Sequence, residues 1–269
     1  MKFLILLCLL SLTCSSLLLA QPQVTAWDIL QQGLNDKNPD KRKQAVTAIG
    51  TIGLSPETTK LIEQGLRDDD SGVRQVGAGV LGQIKSTSSI PALKAAFDDP
   101  SGEVAFTAAK ALWDMGDRSG ETILQDVMTG QQKSTGGMVD GAVRDVKSKM
   151  RDKKYLAKMG IKEAGSALLG PFSIGITAAE ELMKDGGAPG RIVSATLLSQ
   201  NCSDRNLQLI EFAFKEDKNN TVRAALARAL GQCGTKDDIP RLEAYLSSGN
   251  DTLKFMSAAA IVRLTAAPR

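Results

Sequence analysis

DDDSGVRQVGAGVLGQIK, residues Asp68–Lys85, decides how the chain is read. Val73, Val76, Val80, Leu81 and Ile84 recur at the three- and four-residue steps of a helix with one buried face. The aspartates ahead of Ser71 are helix-start residues, and the glycines between the valines let the helix lie close to a neighbour. The same register can be laid from Lys41, Val73, Val104, Gly190, Val222 and Leu253, six anchors separated by 32, 31, 86, 32 and 31 residues. A period of about 30 residues predicts a solenoid of stacked helix pairs.

A shorter apolar run precedes most of these anchors: Trp27, Leu30 and Leu34; Leu61, Ile62 and Leu66; Ile90, Leu93 and Phe97; Leu207, Ile210 and Phe214; Ile239, Leu242 and Leu246. The joints between the paired helices hold turn formers and caps, such as Asp36–Pro39, Asp68–Gly72 and Asp217–Asn220. Pro91 and Pro240 fall in a first helical turn, where a missing N–H costs nothing. Arg74 and Arg223, equivalent by register, are expected to pair with inter-helix aspartates of a neighbouring repeat. Asp68–Asp70 and Asp98–Asp99 read as caps, since the loop of a calcium site is missing.

An aspartate, turn residues, Val-Arg and an aliphatic run ending in Leu-Gly resemble the HEAT repeat. The short HEAT-like repeats of the phycobilin lyase and deoxyhypusine hydroxylase group are the most similar. Asp70, Val73, Arg74, Leu81 and Gly82 carry the resemblance, and again Asp217, Val222, Arg223, Leu230 and Gly231. It covers residues 27–129 and 189–265. It implies an all-α fold, a right-handed α-α superhelix of about six to seven helix pairs. The function it implies is a non-enzymatic protein-interaction scaffold, probed below. A lyase-like enzyme is the alternative that the family suggests.

The chain contains no histidine, which removes Ser-His-Asp and Cys-His nucleophiles and HExxH zinc sites. It also removes the His-Glu iron ligands that a resemblance to the hydroxylase would imply. Gly77–Gly82 matches a dinucleotide glycine spacing only superficially, because it lies inside a repeat helix with no strand before it. No catalytic, cofactor or metal residue is assigned, and no cofactor is expected.

Met1–Ala20 has the form of a signal peptide: Lys2, an apolar run from Phe3 to Leu12, and Ala20 ahead of Gln21. The expectation is an exported chain, periplasmic or extracellular, with retention or lipidation at Cys14 as the alternative. Cleavage leaves Cys202 and Cys233, 31 residues apart and near-equivalent on neighbouring repeats. Export permits a disulfide, whereas units stacked ~10 Å apart favour two small buried thiols. Both readings stand.

Four regions follow: signal peptide 1–20, repeats 21–129, an atypical insertion 130–188 and repeats 189–269. The insertion opens with a glycine-rich loop and continues as an amphipathic helix, Val139–Ala157. Arg144, Lys147, Lys149, Arg151, Lys153, Lys154 and Lys158 form a candidate ridge for a protein partner or an anion. Together with Lys162 and against Asp145 and Asp152, they give this segment a charge of +6 in a chain of net +3. The uncharged run Ala164–Ala179 follows, interrupted by Pro171, and reads as a buried hairpin. Alternatively the basic helix and this run form a peripheral membrane element on an anionic surface, or border a small-molecule cleft. Gly186–Gly190 is expected to be a flexible joint. Nucleic acid is not an expected partner, because the basic stretch lacks interleaved aromatics. A monomer is expected.

Overall fold

The computed structural model describes residues 22–129 and 187–266, and every regular element within them is helical. The first block holds α1 (Pro22–Leu34), α2 (Pro39–Ile52), α3 (Pro56–Gly65), α4 (Ser71–Gln83), α5 (Ile90–Ala95), α6 (Gly102–Asp114) and α7 (Glu121–Thr129). The second holds α8 (Ala188–Leu198), α9 (Asp204–Glu216), α10 (Asn220–Cys233), α11 (Ile239–Glu243) and α12 (Asp251–Thr265). Helix α8 begins with a proline in its first turn, so Gly190 lies inside a helix and not in the expected joint. The signal peptide, the candidate ridge Arg144–Lys158 and the run Ala164–Ala179 lie outside the described residues.

The joints are built as their composition requires. Asp36, Asp68, Asp99 and Asp217 stand five residues ahead of their anchors, and each accepts a hydrogen bond from the amide two residues on, at 2.8–2.9 Å. That turn delivers the next cap. Asn38, Asp70, Asn219 and Asn250 accept amides of the first turns of α2, α4, α10 and α12. The acidic clusters therefore start helices.

The anchored helices α2, α4, α6, α8, α10 and α12 pack side by side, but not in chain order. Helix α4 lies between α2 and α6, and α10 lies between α8 and α12. The last helix, α12, then packs on α1 and α2, the first helices of the chain. The stack thus runs α8, α10, α12, α2, α4, α6. The two ends of the described chain meet at a seam in its middle, and α7 and α8, which flank the insertion, belong to its opposite ends.

One rule governs the joins within each block. Nine residues past the anchor stand Gly50, Gly82 and Gly231; seven past the next anchor stand Val80, Ala111 and Ala260. A Cβ on Gly82 would lie 2.5 Å from that of Ala111, and one on Gly231 would lie 2.9 Å from that of Ala260. Only glycine allows this approach.

A second rule ties the joints together. Arg42 grips Asp68 with two hydrogen bonds of 2.7 Å, and Arg74 grips Asp99 at 2.7 and 2.9 Å. Both arginines also donate to carbonyls of their own joint. Arg191 and Asp217 repeat the pair at 2.6 Å. Burial alone would raise the Asp68 and Asp99 carboxyls. The arginine hydrogen bonds, the joint amides and the arginine charges outweigh burial and hold both below the ordinary 3.8. Arg74 pairs as its register predicts. Arg223 does not: the equivalent acceptor is Ser248, and the guanidinium lies 5.4 Å from the centre of the Tyr245 ring.

Cys202 and Cys233 are joined in a disulfide, with Cα atoms 5.0 Å apart. The ~10 Å spacing of helix axes does not apply to them, because Cys202 lies in the loop after α8. That loop reaches the end of α10, where Cys233 sits. The bridge fastens the outermost described helix, α8, to its neighbour.

Candidate partner-binding surface

The helices that precede the anchored ones, α1, α3, α5, α9 and α11, leave grooves between successive members. The α3–α5 groove encloses about 520 Å³, the α11–α1 groove about 300 Å³ and the α9–α11 groove about 410 Å³. The first and last are register-equivalent. Glu63 of α3, with Leu66 and Arg67 just past its end, corresponds to Glu211, Phe214 and Lys215 of α9.

Their far walls differ. Ala92 and Ala96 in the α3–α5 groove are replaced by Arg241 and Tyr245 in the α9–α11 groove. Phe214 is buried and meets Tyr245 edge to face, with ring centroids 5.2 Å apart. That pair makes a rigid aromatic floor. Arg241 is held at the rim by Glu211, 3.4 Å away, and by the buried Asp238. Asp238 in turn accepts the Thr235 amide at 2.9 Å, so the rim charge is fixed from below.

Phe212 stands over this groove and is 67% exposed; Leu209, one turn earlier on α9, is 49% exposed. Their register equivalents are Gln64 and Leu61 on α3 and Ala95 and Ala92 on α5, and Ala92 and Ala95 face α3 across its groove. Helix α9 is the first of these helices in the described stack. Leu197 of α8, seven residues past its anchor, is 58% exposed at the same end.

The arrangement suits binding: an aromatic floor, an apolar lip and a rim of both charges, which is the make-up of a protein-interaction hot spot. Among the described residues no group of three or more Cys, Asp or Glu could hold a metal ion, and no helix is long and apolar enough to cross a membrane. The ridge Arg144, Lys147, Lys149, Arg151, Lys153, Lys154 and Lys158 lies outside the described residues. Sequence reasoning used Leu207, Ile210 and Phe214 and passed over Leu209 and Phe212. The signal was available: five large apolar residues in eight, at 207–214, exceed one helix face.

The fold defines a helical-repeat solenoid. Residues 27–113 and, in overlapping register, 58–134 match the family of HEAT repeats, so this part of the chain is built of HEAT repeats. The match is to the repeat as such and singles out no phycobilin-lyase subgroup. None of the curated proteins matches the chain. HEAT repeats are generally protein-interaction scaffolds.

Proposed function

We propose that the chain is an exported, non-enzymatic scaffold that holds a protein partner at the α9–α11 groove and the adjoining apolar end of the stack. The observation that carries this reading is the exposure of Leu209 and Phe212 beside the Phe214–Tyr245 floor. Large apolar side chains fixed in water are costly to solubility and are kept where a partner covers them. The partner inserts an apolar side chain over Tyr245 and places polar groups against Lys215, Glu211 and Arg241. Export is supported by the leader-like Met1–Ala20 and by the Cys202–Cys233 bridge, which belongs to an oxidising compartment.

A photo-reactive residue at Gln208 tests the surface in the compartment where the chain resides. The expected result is a discrete adduct whose purified partner binds the wild type and loses at least about tenfold affinity to Phe212→Asp, the cost of a hot-spot residue. Unchanged binding by Phe212→Asp, with an unchanged unfolding midpoint, would exclude this groove. Mass analysis of the exported chain checks the leader: a start at Gln21 is expected, and a cytoplasmic chain retaining Met1 would overturn export.

A further inference from the structure

Helix α9 carries large apolar side chains on two faces. Ile210 and Phe214 are buried in the stack, whereas Leu209 and Phe212 are exposed. Arg205 and Glu216 are exposed as well. Arg205, Leu209, Phe212 and Glu216 follow one another at steps of four, three and four residues, so they form one stripe along three turns of the helix.

From the N-terminus the stripe reads cation, apolar, apolar, anion. From the C-terminus it reads anion, apolar, apolar, cation. Such a stripe is complementary to itself when a copy lies on it antiparallel, since a two-fold axis between Leu209 and Phe212 then sets each arginine opposite a glutamate. A parallel copy would set like charges together.

Helix α9 alone does not account for these two charges. The helix dipole favours anions in the first turn and cations in the last, and Asp204 and Lys215 obey it. Arg205, in the first turn, and Glu216, the last residue, oppose it. Among the described residues Arg205 makes no ion pair. Glu216 lies 3.7 Å from Lys215, both side chains being exposed, and an ion pair of that kind is exchanged at little cost.

We propose that the partner of this surface is a second copy of the chain. Helix α9 of each copy lies antiparallel on α9 of the other about a two-fold axis, Leu209 opposite Phe212 and Arg205 opposite Glu216. This rests on the reading of the exposed α9 residues as a partner surface and names that partner.

Sedimentation equilibrium of the full chain, purified as the cell processes it, should show a reversible dimer. Three turns of one helix present less than the ~800 Å² per partner of a standard interface, so association is expected at micromolar concentration. Arg205→Glu and Glu216→Arg each set like charges opposite one another at two symmetry-related places, and each is expected to weaken the dimer at least about tenfold. Both substitutions suit the helix dipole, so neither threatens α9, and unchanged circular dichroism checks this. The chain with both charges exchanged should regain wild-type association. The two single variants, mixed, should pair with each other more tightly than either pairs with itself. A monomer at every concentration would overturn the proposal, and so would a dimer that ignores the single reversals or is not restored by the exchange and the mixture. The photo-reactive residue at Gln208 separates this outcome from that of the partner surface itself. An adduct between two copies supports both. A monomer whose Gln208 captures a different protein, with capture lost in Phe212→Asp, overturns the dimer and keeps the surface; a monomer whose Gln208 captures only another segment of its own molecule overturns both.

Discussion

The α4–α6 join and the α12–α2 seam do the same job with different bonds. At the first, Gly82 meets Ala111 and Arg74 grips Asp99. At the second the partners are more than 200 residues apart. Phe255 fills the place against Gly33, where a Cβ would lie 2.6 Å from its ring, Arg263 caps α2, and Lys41 reaches Asp251 at 3.7 Å. The register place of the arginines is taken by Lys254, which pairs with Asp251 at 2.6 Å, and Asp36 is held low chiefly by the Asn38 amide and by Lys41. The seam is therefore one more repeat junction, completed without a connecting turn. A solenoid needs matched faces more than it needs sequence continuity.

The sharpest way to break this equivalence is to empty the seam. Phe255→Ala is expected to cost about 3–5 kcal/mol, the range for deleting a buried aromatic. Because no short turn holds α12 to α1, the loss should split unfolding into two steps, the C-terminal block separating first. Leu81→Ala, a similar deletion inside a block, should lower a single transition. Circular dichroism and hydrogen exchange on both variants distinguish the outcomes; one cooperative step in Phe255→Ala would show that the seam is not a separate junction.

The disulfide tests the other end of the stack. Reduction, or Cys233→Ser, is expected to cost about 2–4 kcal/mol for a closed loop of this size. The loss should appear as faster exchange in α8 with little change in α12, because the bridge fastens only the outermost repeat.

How legible this was depended on how local the signal is. Helix phase, caps and first-turn prolines depend on residues within one turn, and Val73, Asp70 and Pro91 announce them. Arg74 with Asp99 was readable because the pair follows from the period. Stack order was not. Gly50, Gly82 and Gly231 are equivalent by register, so nothing in a glycine such as Gly231 says which repeat will cover it. The disulfide was left open for a related reason: the distance between helices says little about a loop that leaves one of them. In the groove, Phe212 was visible as an extra apolar residue, but Tyr245 meets Phe214 only through the packing of α11.

The ladder of arginines gives a smaller effect with a pH signature. Arg74→Ala leaves a mostly buried Asp99 without its grip and is expected to cost about 1–2 kcal/mol, at the lower end for charged hydrogen bonds because the pair is not sealed from water. Asp68 and Asp99 have folded-state values below 3.8. Their contribution is therefore complete above the unfolded value and lost as pH falls from about 3.8 through the folded values. Wild-type stability should drop in that interval, and Arg74→Ala should flatten the drop in urea titrations at a series of pH values.

The one gap in the ladder offers a gain. Ser248 occupies the place of Asp36, Asp68, Asp99 and Asp217, and its hydroxyl already accepts the Asn250 amide at 3.1 Å, as those carboxylates accept theirs. Above it stands Arg223, whose buried Nε has no hydrogen-bond partner among the described residues and which rests on the Tyr245 ring. Ser248→Asp can therefore keep the joint turn and supply the missing acceptor. The expected gain is about 0.5–1 kcal/mol, modest because Arg223 gives up part of a ring contact of similar worth. The gain should vanish in an Arg223→Gln background and shrink below pH 4, when the new carboxyl takes up its proton. A gain that persists without Arg223 would assign it to the turn alone, and the repeat register would then have no part in where these chains place their charges.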